Sequence, residues 1–259
     1  MTKPGPTGFA RRDLIRLAGI AVIAAAAPTP AFAPNPFAPN AYAQGAKLKI
    51  ATIGSGREGG ALGTQFAKAG HPVMFSSRHP EELKDLVAKA GPNAKAGTVA
   101  EAVAFGDVVL LVVPYTAVAA IGKEFGPALA KKQLVIDVSN PTPRRDGEDF
   151  VKQVMADGGP GVVTTKALDG AKVVRAFNAI GAGTLSDLGQ KQGEAKIGVP
   201  IAGDDKAAIQ LASDLIREIG FEPVLVGSLE AMGKYLVPGT PLAGAHTAAE
   251  LKTAAGGLK

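Results

Sequence analysis

Two short stretches bring together residue types that could do chemistry. The first is Gly54-Ser55-Gly56-Arg57-Glu58-Gly59, three glycines at G-x-G-x-x-G spacing. The apolar, β-rich run Lys47 to Ile53 leads directly into it. Ala61, Leu62, Phe66 and Ala67 then recur at helical spacing until Gly70. In a strand–turn–helix the three glycines have separate tasks. Gly54 permits the tight turn, Gly56 lets a pyrophosphate approach the backbone, and Gly59 lets the helix pack on the strand. Phosphate oxygens would meet free N–H groups at the positive end of the helix dipole. The alternative is a glycine-rich turn that holds no ligand, and the flanking strand and helix count against it. Glu58 is at odds with the pattern, because an apolar side chain usually sits there. A carboxylate suits a first helical turn but repels a pyrophosphate, so Glu58 is expected to point outward, with Arg57 offsetting its charge.

The second stretch is Ser76-Ser77-Arg78, 22 to 24 residues after Gly54, at the end of the next apolar run, Pro72 to Phe75. An acidic residue at this distance would hold ribose hydroxyls and repel a 2′-phosphate. Two hydroxyls and a guanidinium do the reverse, since arginine takes a phosphate with paired, charge-assisted bonds. The constellation favours NADP(H) over NAD(H). The alternative makes Arg78 a solvated charge ahead of a helix opening at Pro80-Glu81-Glu82.

The elements that must position these residues alternate along the chain. Short strands are expected at Ala94–Ala96, Asp107–Val113, Leu134–Val138, Val173–Phe177, Lys196–Ala202 and Glu222–Val226. Helices are expected at Val99–Ala104 and Ala117–Leu129 and after Gly203-Asp204-Asp205, with a polar, partly helical stretch from Arg144 to Gly161. Continuous apolar runs such as DVVLLVV fit strands buried on both faces. The fold class is therefore α/β, a doubly wound, mostly parallel Rossmann sheet extended by extra C-terminal strands in a single compact domain. Ligands of such sheets lie beyond the carboxyl ends of the strands. Val113-Pro114-Tyr115 and Ser139-Asn140-Pro141 thus become candidate walls of a nicotinamide pocket, or else ordinary strand-ending turns.

Composition removes other classes. Hydrophobic residues make up 46% with only 5% aromatics, which suits Ala-rich helices on a sheet. There are no cysteines, so disulfides and thiolate chemistry are excluded. The three histidines, His71, His79 and His246, form no ligand pair, so no metal site is expected. No serine–histidine–acid order or carboxylate pair stands out, which leaves any chemistry to a bound cofactor. Part of the formal charge of +5 lies in the first 43 residues, and no basic tract with interleaved aromatics exists, so nucleic acid is not an expected partner.

Residues 1–43 look like an address. Arg11–Arg12 precede Asp13-Leu14-Ile15-Arg16 and an apolar run from Leu17 to Ala27, as in a twin-arginine export signal. Eleven residues rise only about 16 Å as a helix, too little for a stable membrane span. A Sec signal with a chance arginine pair is the alternative. Ala41-Tyr42-Ala43 is the better cleavage pattern, giving a mature domain over 44–259 and a periplasmic destination reached through the twin-arginine translocase.

Taken together, GSGREGG, AGHPV, FSSR, VVPY, DVSNP, VVRAFNAIGAG, IAGDD and IGFEPVLVGSL resemble the NADPH-dependent deazaflavin (coenzyme F-420) reductase family, from about Lys47 to past Leu229. The resemblance implies hydride transfer between NADP(H) and a flavin-like or deazaflavin acceptor. Related domains reduce flavin and iron in six-transmembrane ferric reductases. It implies NADP contacts at Ser55, Gly56, Arg57, Glu58, Ser77, Arg78, Val113, Pro114 and the Asn178-Ala179-Ile180 turn, with an acceptor contact around Leu229. No catalytic side chain is implied, because hydride passes between two positioned rings. An export signal is unusual for such an enzyme. Other acceptors (a ferric chelate or an imine) therefore stay open, as do an exported NADP-binding module without turnover and a homodimer.

Overall fold

Aliphatic and β-branched runs become strands whose two faces are both covered. The computed structural model describes Met1, residues 47–187 and residues 196–258. The expected export signal and its cleavage patterns lie outside the described residues. Strands β1 (Ile50–Ile53), β2 (Val73–Ser76), β4 (Val108–Leu111) and β5 (Leu134–Asp137) are buried at every position. Alternate residues enter opposite cores, as the two-residue period of a strand requires. Ile50, Val108, Leu110, Leu134 and Ile136 face one side, and Ala51, Ile53, Val109, Leu111 and Val135 face the other.

With β3 (Ala94–Gly97), β6 (Val173–Arg175), β7 (Gly198–Gly203) and β8 (Glu222–Gly227), these strands form one eight-stranded sheet of order β3-β2-β1-β4-β5-β6-β7-β8. The first six are parallel. β7 pairs antiparallel with β6, and β8 pairs parallel with β7. The expected doubly wound sheet with a C-terminal extension is therefore present, and its chain reversal falls between β6 and β7.

Eleven α-helices pack around the sheet among the described residues. They are α1 (Arg57–Lys68), α2 (Lys84–Ala90), α3 (Val99–Phe105), α4 (Val118–Leu129), α5 (Pro143–Asp146), α6 (Glu148–Ala156), α7 (Pro160–Ala167), α8 (Ala182–Asp187), α9 (Lys206–Glu218), α10 (Leu229–Met232) and α11 (Ala248–Gly256). Leu62 and Phe66 of α1 and Leu211, Leu215 and Ile216 of α9 fill the first core. Ala102 of α3, Leu129 of α4 and Leu251 of α11 fill the second. Asp205 caps α9 by accepting from the Ala208 N–H at 2.8 Å, a bond that satisfies one orphan donor of the first turn. The polar stretch from Arg144 to Gly161 resolves into α5, α6 and the start of α7. Among the described residues no helix is long and apolar enough to cross a membrane, and no group of three potential metal ligands occurs.

One polar feature breaks the apolar interior. Asp137, the last residue of β5, stands in register with Arg175, the last residue of β6. Both side chains are 0% exposed, and Arg175 Nη1 donates to Asp137 Oδ2 at 2.5 Å. Thr164 donates its hydroxyl to the same carboxylate oxygen at 2.9 Å, and the Ser139 N–H donates to Asp137 Oδ1 at 2.9 Å. The rest of the guanidinium reaches the Ser139 carbonyl, the Asn140 side-chain oxygen and the Leu236 carbonyl. Removing one partner strands a buried charge, whereas removing both does not. We expect Asp137→Ala to lower unfolding stability by about 3–5 kcal/mol. Asp137→Leu combined with Arg175→Met should restore much of that loss, as read in urea denaturation.

Candidate functional site

At the carboxyl end of β1 the chain must turn sharply beneath β4. Gly54 does so at φ +96°, where a Cβ would collide with the Val112 carbonyl oxygen. Gly59, in the first turn of α1, lies so close to Gly54 that a Cβ would strike the Gly54 carbonyl oxygen. Gly56 is different: it is exposed, and a Cβ there would find nothing within 4 Å. Two glycines thus bring helix and strand together, and the middle one leaves an open approach to the first-turn amides. Gly56 caps α1 without a side-chain hydrogen bond, so those amides are available to a ligand. Ser55 places its Oγ 2.9 Å from the Thr52 hydroxyl, which steadies the loop.

A cavity of 530 Å³ opens beside this loop. It joins Gly54, Ser55 and Gly56 to Ser77 and Arg78 at the end of β2 and to Val113 and Pro114 beyond β4. Arg78 is exposed and makes no hydrogen bond or salt bridge with another described residue. Ser77 is half-buried, and its Oγ accepts from the His79 N–H at 3.0 Å. Ser76 borders the same cavity, but its hydroxyl is buried and donates to the Thr52 carbonyl at 2.7 Å. Its proton ties β2 to β1, so the donors facing outward come from Ser77 and Arg78.

A second, smaller cavity of 230 Å³ lies beyond β5 and β6. Val138, Asn140, Asn178, Ala179 and Ile180 form its wall, and Glu58 closes the side nearest the glycine loop. The wall is tightly keyed. Asn140 donates through Nδ2 to the Asn178 carbonyl at 2.6 Å, and Arg145 donates to the Asn140 carbonyl. Asn178 donates to the Asp137 carbonyl at 3.0 Å, while its buried Oδ1 lacks a hydrogen-bond partner. Phe177, immediately before, adopts φ +64°, a left-handed backbone that an aromatic residue tolerates only when its surroundings enforce it.

The expectation that Glu58 points outward is corrected by this geometry. Its Oε1 accepts from the Ala182 N–H at 3.1 Å, and its Oε2 is buried without a partner. The side chain spans from α1 to the start of α8 because that amide, at a helix N-terminus, attracts it. Burial pushes the carboxyl above the usual carboxylate range, and the Ala182 amide and the Arg57 charge only partly offset this.

Two residues expected near the acceptor, Tyr115 and Leu229, are buried and line neither of these cavities. Tyr115 is 2% exposed and sits in the core beneath β4 and β5. Its phenol donates to the Pro160 carbonyl at 2.8 Å and lies 3.0 Å from the Thr164 hydroxyl. Burial and the Asp137 charge push its ionisation far up. The tyrosine therefore supports the Asp137–Arg175 pair and borders neither cavity. Leu229 begins α10 within the same core and receives no exposure to either cavity, its N–H donating to Asp204 at 3.3 Å. Sequence reasoning missed Asp137 and Arg175. Their signal was a single charge of each sign at the ends of two otherwise apolar strands.

The sheet order, the glycine loop and the two cavities at strand carboxyl ends define a Rossmann-type dinucleotide-binding protein. Comparison with known proteins finds reductases and a dehydrogenase named for NADP or NAD(P) among the relatives this chain is similar to. Residues 49–141 match the family described as NADP oxidoreductase coenzyme F420-dependent. The F420-dependent NADP reductase of Methanothermobacter thermautotrophicus is 28% identical over 71% of this chain and 82% of its own. Glycerol-3-phosphate dehydrogenase [NAD(P)+] of Rhizobium etli is 29% identical over 64% of this chain, which spans 57% of that enzyme. Metalloreductase STEAP3 of Rattus norvegicus is 29% identical over 70% of this chain, which spans 34% of that protein. A hypothetical protein from Sinorhizobium meliloti superposes with a TM-score of 0.63, 28% identity and coverage of 78% and 95% of the two chains.

The three glycines make separable predictions. Gly56→Ala should leave thermal stability within a degree or two of the parent, because open space surrounds the position, yet it should weaken nucleotide binding by filling the phosphate approach. Gly59→Ala should lower the melting temperature itself. Thermal melts and nucleotide titration of both variants check this.

Proposed function

We propose that the chain is an NADP(H)-dependent oxidoreductase that passes hydride between NADP(H) and a flavin-like or deazaflavin acceptor of the coenzyme F-420 type. The observation that carries the reading is the 530 Å³ cavity. It runs without a break from the glycine loop to Ser77 and Arg78. The α1 amides around Gly56 suit the pyrophosphate, and Arg78 with the Ser77 hydroxyl suits a 2′-phosphate. Nucleotides lie across such sheets at the strand-order reversal, which here falls between β1 and β4. The adenosine half would then occupy the β2 side and the nicotinamide half the cavity lined by Asn140, Asn178, Ala179 and Ile180.

The bound nucleotide supplies the hydride, and the chain supplies position and dryness. Ile180 and Val138 are apolar walls that exclude water. Asn140 fixes the Asn178 carbonyl and with it the turn that borders the ring site. Val113, which borders the 530 Å³ cavity, is tied to the end of β5 by its N–H, which donates to the Ser139 hydroxyl at 3.3 Å. No proton-transferring side chain is required for a hydride step between two rings held at near-attack distance. Export by the twin-arginine route is part of the proposal and rests on Arg11–Arg12 and the apolar run that follows. A folded domain could then leave the cytoplasm with its nucleotide in place.

The test is nucleotide and acceptor choice. The purified protein should bind NADPH in strong preference to NADH. Arg78→Ala should weaken NADPH by about 10- to 100-fold, as loss of charge-assisted phosphate bonds implies, and leave NADH nearly unchanged. Oxidation of NADPH with coenzyme F-420, FMN, FAD, ferric chelates and a cyclic imine, followed at the NADPH absorbance band, identifies the acceptor. Equal affinity for both nucleotides would remove the 2′-phosphate reading. Tight binding without oxidation by any acceptor would leave a nucleotide-binding module.

A further inference from the structure

Glu58 is the one ionisable side chain bordering the 230 Å³ cavity among the described residues. Every other group there is apolar, backbone or an amide. One carboxyl oxygen is fixed by the Ala182 N–H at 3.1 Å, and the other is buried with no partner. The Asn178 Oδ1 on the opposite wall is likewise buried and unpartnered. The cavity wall therefore carries one potential negative charge, and no cation borders it among the described residues. Arg57, on Glu58's own helix, is exposed and acts only through space. Asp137 and Arg175 lie behind Asn140 and neutralise each other. α8 contributes the Ala182 amide, and the 238–243 segment contributes Pro238, Gly239 and Ala243, none of which is ionisable.

From this arrangement we propose that Glu58 makes the site discriminate the oxidation state of its nucleotide, binding NADP+ more tightly than NADPH through its carboxylate. The inference rests on the nicotinamide half occupying this cavity, as in the proposed function. The oxidised nicotinamide ring carries a positive charge and the reduced ring is neutral. A carboxylate at the cavity wall attracts the first and is indifferent to the second, and the low dielectric strengthens the difference. An apolar residue at this turn, as the G-x-G-x-x-G pattern usually has, could not make the distinction.

The same charge must then respond to the ring. Burial already favours the neutral acid, and a neutral, reduced ring does not oppose that direction. An adjacent positive ring favours ionisation and lowers the carboxyl's pKa. By linkage, binding NADP+ releases a proton that binding NADPH does not. At a pH below both Glu58 pKa values the acid is neutral in either complex and the preference vanishes. As pH rises the carboxylate forms first in the oxidised complex, so the NADP+ to NADPH affinity ratio climbs. It levels off once Glu58 is ionised in both. The 2′-phosphate also titrates near neutrality, but both nucleotides carry it and it cancels from the ratio.

The experiment is calorimetric titration of the full protein with NADP+ and with NADPH across pH, in buffers of differing ionisation enthalpy. Wild type should release more protons with NADP+ and show a ratio that rises with pH. Glu58→Gln should flatten the ratio and lower it by about tenfold at high pH, the scale set by one charge pair near a protein surface. Glu58→Asp should keep part of the pH dependence, and a thermal melt separates these effects from misfolding. A ratio unchanged by Glu58→Gln would overturn the inference while leaving nucleotide binding intact. A variant that binds both nucleotides more tightly by the same factor would also overturn it, because Glu58 would then act only by repelling the pyrophosphate. Failure of the wild type to bind either nucleotide would instead overturn the proposed function.

Discussion

The ion pair between Asp137 and Arg175 is the interaction on which the site end of the sheet depends. Two unpaired charges at 0% exposure would be prohibitive, and the pair is tolerated because nearly every polar atom has a partner. Those partners are the structural consequence. Asp137 recruits Thr164 of α7 and the Ser139 amide, while Arg175 recruits the Ser139 and Leu236 carbonyls and the Asn140 side chain. The ends of β5 and β6, one helix and the C-terminal segment are thereby fixed to a single point. Only the Arg175 Nε is left without a partner. Pure apolar packing could have supplied comparable stability, but it would not have set the direction of the Asn140 amide.

From that amide the order passes outward. Asn140 accepts from Arg175 through its oxygen, so its Nδ2 must donate the other way, to the Asn178 carbonyl. Asn178 donates back to the Asp137 and Ser139 carbonyls. The Phe177 backbone is held at φ +64° between these anchors and the Phe221 ring, which lies edge-on to it at 5.6 Å. A strained residue next to a cavity wall is stable only where neighbours over-determine it. Here the neighbours trace to the ion pair.

The elements and their order were legible in the sequence because both rest on local signals. Apolar runs of four to seven residues ended by Gly, Pro or Asn gave the strands within a few positions, and the Gly54–Gly59 spacing located the turn. The place of Ser77 and Arg78, just past β2 and bordering the same cavity as the glycine loop, was also legible because it follows from their spacing to Gly54. What sequence could not give was pairing across distance. Tyr115 follows Val113-Pro114 in the chain and looked like part of the same wall, yet the helical turn at Tyr115–Ala117 rotates its ring into the core. Ser76 was one of two adjacent serines, and strand alternation decides that its hydroxyl turns inward while Ser77 lies outside the strand. Glu58 carried a visible anomaly, but its direction depends on the Ala182 amide, 124 residues away.

The two ends of the site consequently use charge in different ways. At the β2 end, Arg78 is exposed and permanently charged, so it can recognise a phosphate at any physiological pH, though salt screens it. At the β5–β6 end, the carboxyl of Glu58 is partly withdrawn from water, where its charge is conditional but less screened. A fixed exposed charge suits a group that both oxidation states of a nucleotide carry alike, such as the 2′-phosphate of the proposed ligand. A conditional buried charge suits the one part of the nucleotide whose charge changes with its oxidation state. Placing Glu58 in the first turn of α1 puts both demands on one glycine loop, since the helix end that favours an anionic phosphate also favours a carboxylate. The Ala182 amide answers that competition by holding the carboxylate at the start of α8, on the border of the cavity lined by Asn140 and Asn178.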